Sequence, residues 1–204
     1  KQEYFMRKFI YSQYLTYGLI AITFLIFFVS RIFCPTLITL GEADPVAIYE
    51  KHQYYRLLTC MFMHVDLPHV GSNMLLLLGT SNVVEKRIGG VRFLTIYLVS
   101  GIFAGAISRY MAYCSDINIP SIGASGGVFG IIGALLWIVL IHKGHYEDIT
   151  LTNLLFMIIM SIYVGFTGNQ IDNVAHIAGL MTGFLLAMPI TTRVFTHPHR
   201  KLHN

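Results

Sequence analysis

Three short stretches carry side chains that could do chemistry, and all three interrupt otherwise apolar sequence. In Gly123-Ala-Ser-Gly-Gly127 a single serine stands among glycines. A serine hydroxyl becomes a nucleophile when a neighbouring base takes its proton. The spacing formally fits G-x-S-x-G, the nucleophile elbow, but that motif requires a strand before the serine and a helix after it. Here the preceding Tyr113–Pro120 stretch reads as a loop between apolar segments, so the elbow fails on context. Two explanations stay open for Ser125: a nucleophile, or a small residue that caps a helix or eases close packing.

The second stretch is Asp172-Asn-Val-Ala-His-Ile-Ala-Gly-Leu-Met-Thr-Gly183. Polar groups inside apolar spans are costly and are functional candidates by default. His176 lies three residues before Gly179, and Gly179 and Gly183 form a small-xxx-small pair, as do Gly126 and Gly130 beside Ser125. Such strips permit close backbone approach. If the two strips face each other, Ser125 and His176 meet as nucleophile and general base. A satisfied structural histidine is the alternative. Asp172 could orient His176 or could cap the helix that follows it.

The third stretch is Asp66-Leu-Pro-His-Val-Gly-Ser-Asn-Met74. Asp66 fits an N-cap and Pro68 the first turn, which places His69 and Asn73 at i and i+4 on one helix face. Acyl transfer through serine needs donors for an oxyanion, and His and Asn side chains can supply them. Helix capping and interhelical hydrogen bonding would explain the same residues. All three stretches open apolar segments at similar depth on the same side, which favours a shared cause.

The elements that must position these residues are membrane helices. The 204 residues are 55% hydrophobic and 12% charged, with a mean hydropathy of +0.63, far from the composition of a soluble domain. Crossing a core of about 30 Å takes roughly 20 helical residues. Spans are expected near Ile10–Ser30, Pro68–Val84, Phe93–Tyr113, Ala124–Ile141, Leu151–Phe166 and Val174–Ile190. Ten Lys and Arg residues flank one set of ends (Lys1, Arg7, Lys8, Lys86, Arg87, Arg92, Lys143, Arg193, Arg200, Lys201) and four the other (Arg31, Lys51, Arg56, Arg109). By the positive-inside rule both termini are expected in the cytoplasm. The net charge of +4 is then an orientation signal, and no basic stripe with stacking aromatics supports nucleic-acid binding. From Ser125 to His142-Lys143 the helix covers about 26 Å, so Ser125 is expected a few ångströms below the outer surface.

The first external loop, Arg31–Leu67, is far longer than a usual connection. Its mixture of aromatic, apolar and basic residues over Asp44–Met63 suits short helices lying on the outer leaflet. With no internal repeat or Gly/Ser linker, residues 1–204 are expected to form one domain, with 196–204 a cytoplasmic tail. Lys1 rather than Met opens the chain, compatible with a piece of a longer protein. Cys34, Cys60 and Cys114 are odd in number, show no metal spacing and read as small apolar residues. No H-E-x-x-H is present, with His64 and His69 wrongly spaced for it, and His64 reads as a loop or interfacial residue. No metal or other cofactor is expected, and no feature fixes an oligomeric state. A transporter would call for inverted repeats or intramembrane charge, and neither pattern is evident.

Taken together, the motifs resemble the rhomboid intramembrane serine proteases, of the bacterial six-helix type. Gly123-Ala-Ser-Gly126 matches the family's G-x-S-G at the start of its fourth helix, Ala175-His176 the Ala-His of its sixth, and His69 and Asn73 the spaced pair opening its second. Glu85-Lys-Arg-Ile-Gly89 is similar to the segment closing that second helix. Tyr55-Arg56 stands where Trp-Arg is common, an aromatic–Arg pair with a structural role in the family, and Phe129 occupies the position of an aromatic ring packed on the histidine. The resemblance implies an all-α membrane protein, a rhomboid-like bundle of six transmembrane helices with a large, partly membrane-embedded first external loop. It implies a Ser125/His176 dyad without a required Asp, oxyanion binding by His69, Asn73 and the Ser125 N–H, and supporting roles for Gly123, Gly126, Phe129 and Arg56. It further implies substrates that are transmembrane proteins cut where a helix can unwind, with the fifth helix and Thr167–Asn173 as a movable entrance. The expected location is a bacterial inner membrane, with the site opening to the extracytoplasmic side. A catalytically silent relative that binds transmembrane helices is the alternative.

Overall fold

The computed structural model describes residues 14–167 and 171–196, which are mostly helical. α1 (Tyr14–Phe28) runs into a π-helical turn, Val29–Phe33. Three short helices follow, α2 (Thr36–Gly41), α3 (Pro45–Tyr49) and α4 (Arg56–Thr59), the last continuing into a 3₁₀ turn at Cys60–Phe62. Then come α5 (Leu67–Ile88), α6 (Gly90–Cys114), α7 (Ser125–Ile141), α8 (Leu151–Thr167) and α9 (Asn173–Thr196). A two-stranded antiparallel hairpin, β1 (His145–Tyr146) and β2 (Ile149–Thr150), joins α7 to α8.

Each of the six expected apolar segments falls on one of the helices α1 and α5–α9. The start of the first, before Tyr14, and the tail beyond residue 196 lie outside the described residues. Among the described residues, three helices are long and apolar enough to cross a membrane by length and composition: Tyr14–Phe33, Gly90–Cys114 and Asn173–Thr191. α7 and α8 are apolar but shorter, at 17 residues each. α5, at 22 residues, is not among the three.

Local chemistry sets the boundaries. α5 starts where the Asp66 carboxylate accepts from the His69 N–H at 2.7 Å, with Pro68 in the first turn, a position where the missing N–H costs nothing. It ends at Gly89, whose φ of 87° suits a residue without a side chain. The Glu85 carboxylate of this last turn accepts from the Leu15 and Thr16 N–H groups at 3.1 and 3.0 Å, and from the Thr16 hydroxyl at 2.6 Å. Two main-chain N–H groups of the described α1 thus have a carboxylate of α5 as their acceptor.

α7 sits at the centre, with every residue from Gly126 to Leu135 buried. An all-round apolar helix is stable only when other helices enclose it. Here α9, α6 and α5 do so. The expected closeness of the glycine strips is present, but the facing differs from the simple pairing of strip on strip. Side chains at Gly179 and Gly183 would run into the carbonyls of Gly126 and Gly130. Gly126 and Gly130, however, turn their own bare faces toward α6, where a side chain would meet Ala104 and Ser100. Gly133 is the α7 glycine open to α9, against the Leu180 carbonyl. The junction is therefore three-sided.

The long first loop folds into its three short helices and is tied down by polar contacts. Asp44 caps α3 by accepting from the Ala47 N–H at 2.7 Å. The buried Arg56 guanidinium donates to Gln53 Oε1 (2.7 Å) and to the carbonyls of Thr39 (2.8 Å) and Glu42 (2.9 Å). An isolated bridge, Ala43 to Ser121, fastens this loop to the segment entering α7.

Candidate active site

The turn before α7 is assembled from the loop on one side and α5 on the other. Gly123 adopts φ 136°, and a side chain there would come within 2.9 Å of His69 Nε2; only glycine meets both demands. The Gly123 N–H donates to the Cys60 carbonyl at 3.0 Å, and the Ala124 N–H donates to His64 Nε2 at 3.3 Å. Ala124 is the N-cap and makes no side-chain cap bond. Ser125 is the first helical residue, so it does not cap its own helix. Its N–H lies where no preceding turn supplies an acceptor, at the positive end of the helix dipole.

His176 is placed by α9 and by a ring. Its N–H donates to the Asp172 carbonyl at 3.1 Å. Its imidazole stacks on Phe129 with centroids 4.1 Å apart and an interplanar angle of 9°. Its buried Nδ1 has no hydrogen-bond partner among the described residues. The Asp172 carboxylate does not reach the imidazole. Oδ1 accepts from the Ala175 N–H at 3.0 Å as an N-cap, and Oδ2 accepts from Arg109 at 2.6 Å.

His69 and Asn73 lie on one face of α5, as their spacing requires. The Asn73 amide donates one hydrogen to the His69 carbonyl at 2.9 Å, leaving its second N–H available. The His69 ring meets His64 edge-on at 5.0 Å.

A cavity of about 390 Å³ brings these residues together: Ser125, His176, His69, Asn73 and Phe129 all line it. Met160, Ser161 and Val164 of α8 form another wall. No hydrogen bond joins Ser125 to His176 among the described residues; catalytic contacts are often long before substrate tightens them. Arg56 stands apart from this cavity and is held by main-chain carbonyls, in keeping with a structural role. Among the described residues no cluster of three or more His, Cys, Asp or Glu side chains could hold a metal ion.

Two residues at the site exceed what their sequence positions promised. His64, expected in a loop or at an interface, is in a loop but fully buried, and burial first, then the neighbouring His69, pushes its imidazole down to about 3. A neutral ring is what the Ala124 contact needs, because Nε2 must accept. Arg109, counted among the charges flanking the outer ends of the spans, is buried and paired with Asp172. An arginine near the end of an apolar span calls for a buried partner, and that was the available signal.

A mostly helical membrane protein that gathers serine, histidine and amide donors into one cavity is the class defined by fold and site. A Rhomboid domain matches residues 51–193, and the chain belongs to the Rhomboid family. It is 36% identical over 177 residues to Rhomboid protease GluP of Bacillus subtilis (strain 168), covering 84% of this chain and 34% of that protein. It is 34% identical over 160 residues to RHOMBOID-like protein 1 of Arabidopsis thaliana, covering 78% and 40%. Rhomboid-like protease 1 of Toxoplasma gondii is 31% identical over 160 residues, covering 74% and 52%. The chain thus spans about a third to a half of these relatives' length.

Proposed function

We propose that this chain is an intramembrane serine endopeptidase that cuts transmembrane segments of other membrane proteins. The observation carrying it is that Ser125 and His176, on two helices whose backbones approach closely at bare glycines, line one cavity with His69 and Asn73. The Ser125 hydroxyl attacks the scissile carbonyl while His176 takes its proton and passes it to the leaving amine. Water, deprotonated by His176, then releases the acyl group. His69, the free Asn73 N–H and the Ser125 N–H receive the oxyanion, and the α7 dipole adds to their effect. No cofactor is needed for any of these steps.

In this proposal α1 and α5–α9 are six membrane spans of a single domain over residues 1–204. Both termini face the cytoplasm of a bacterium, and the site opens on the other side of its inner membrane. A helical substrate hides its carbonyls in hydrogen bonds, and opening it in hydrocarbon costs several kcal/mol per unpaired group. Substrates with Gly, Pro or polar residues near the cut are therefore preferred. The exposed α8 is the side through which such a segment enters; residues 168–170 of the expected entrance lie outside the described residues.

Ser125→Ala should abolish cleavage of a transmembrane substrate in proteoliposomes without loss of the fold; persistent cleavage rejects the assignment. A fluorophosphonate should label wild type at Ser125. Absence of labelling and cleavage in folded protein would instead mark a silent binder of transmembrane helices.

A further inference from the structure

Asp172 and Ser121 each lie four residues before a proposed catalytic residue, His176 and Ser125 respectively, and one charged cluster holds both. Asp172 Oδ2 accepts from Arg109 Nη2 at 2.6 Å, from the Ser108 hydroxyl at 2.5 Å and from the Ser121 hydroxyl at 3.4 Å. Its Oδ1 caps α9 through the Ala175 N–H. The same guanidinium donates through Nη1 to the Ile119 carbonyl at 2.5 Å and through Nη2 to Ser108 at 2.8 Å. Three separate pieces of chain converge on this pair: the outer end of α6, the segment leading into α7, and the first turn of α9.

A buried ion pair is weak evidence for stability, since desolvation offsets much of the attraction, but breaking one partner leaves an uncompensated charge. What such a pair does well is fix registry. At Gly133, Gly179 and Gly183 the α7–α9 seam is bare backbone on backbone, a non-directional contact that does not by itself fix the register against a small slide. The Arg109 fork and the Asp172 carboxylate, each bound from several directions, resist that slide at the end where the chemistry sits.

We propose that Arg109 and Asp172 are positioning residues for the hydrolysis: they lock the first turn of α9 to the Ile119–Ser121 segment and so set the depth and approach of His176 toward Ser125. This rests on the endopeptidase proposal above, and hydrogen exchange provides a readout that does not.

The experiment uses the full chain in proteoliposomes, comparing wild type, Asp172→Asn, Arg109→Met and the double variant Arg109→Met/Asp172→Asn. The Asn keeps the cap acceptor, and the double variant removes both charges so that none is left buried alone. Misplacement by about 1 Å can cost on the order of 100-fold, so Asp172→Asn and the double variant should lower kcat by about 10- to 100-fold. KM should stay within about threefold of wild type. The double variant should keep a Tm near wild type, and amide exchange should rise together in residues 115–124 and 171–178. Wild-type kcat in a folded double variant overturns the proposal, as does faster exchange at α9 with 115–124 unchanged. If wild type and Ser125→Ala are equally inactive, the endopeptidase proposal fails, and the exchange pattern alone decides whether the pair couples the two segments.

Discussion

α7 and α8 are both 17 residues long and strongly apolar, yet the structure treats them oppositely. α7 is buried along nearly its whole length, whereas α8 buries only Leu154, Ile158 and Gly165. Phe156 and Phe166 are 67% and 75% exposed. The difference is written in residue size. α7 carries Gly126, Gly127, Gly130 and Gly133, which let α6 and α9 approach its backbone, while α8 carries bulky side chains nearly all round and a single glycine, against Asn173. In hydrocarbon, apolar side chains gain little by leaving lipid for protein, so packing is decided by how closely backbones can come. The proposed nucleophile rides on the enclosed helix, and one wall of its cavity on the loosely held one.

The largest test of this contrast is Gly133→Leu. The new side chain would strike the main chain of α9 at Leu180 and Phe184, which cannot yield as a side chain can, so unfolding should become easier by about 3 kcal/mol or more. Phe156→Ala on α8 should change stability by no more than about 0.5 kcal/mol. Similar losses in thermal denaturation for the two would erase the distinction. Next comes Phe129→Ala, which removes a buried ring and the stack on His176. About 3 kcal/mol of stability should go with a fall in kcat, and unchanged kcat would show that the stack does not position His176 for the proposed reaction. Smaller still is the difference in native-state exchange, with α8 amides exchanging faster than those of α7. Equal protection would place α8 in the enclosed core.

The mildest effect is with pH. His64 titrates near 6.5 when unfolded and at about 3 in the folded protein. Between those values the unfolded chain binds the extra proton, so stability falls as pH drops from 6.5 toward 3 and this contribution is flat above 6.5. His64→Gln, which keeps an acceptor for Ala124 without a titrating ring, should flatten that acid limb of the Tm profile. An acid limb identical to that of wild type would remove His64 from the forces holding the α7 end.

Hydropathy placed the apolar helices because the 20-residue scale of a bilayer leaves a coarse mark. Ser125, His176, His69 and Asn73 stood out because each is polar where its neighbours are not. What periodicity could not show was which neighbour each residue meets. Whether Gly126 turns its bare face to α6 or α9 depends on the angle between helices, and no spacing within α7 contains it. His64 is the loop residue it read as, but its burial was not legible because it comes from contacts with His69 of α5 and the Ala124 N–H, both outside its own segment. Arg109 counted as an outer charge because its partner, Asp172, lies 63 residues further along. The sequence also left Asp172 open between capping and orienting His176; the carboxylate caps, and its other oxygen belongs to Arg109.

Glu85 bears on how the chain is made. The first N–H groups of the described α1, at Leu15 and Thr16, are satisfied by a carboxylate 70 and 69 residues later. At translation rates of about 5–20 residues per second, those donors wait about 4–14 seconds for their acceptor. Until α5 arrives, those two N–H groups are without this carboxylate. The bond between α1 and the last turn of α5 is therefore made late in synthesis, and the start of the described chain takes its final place only once residue 85 exists.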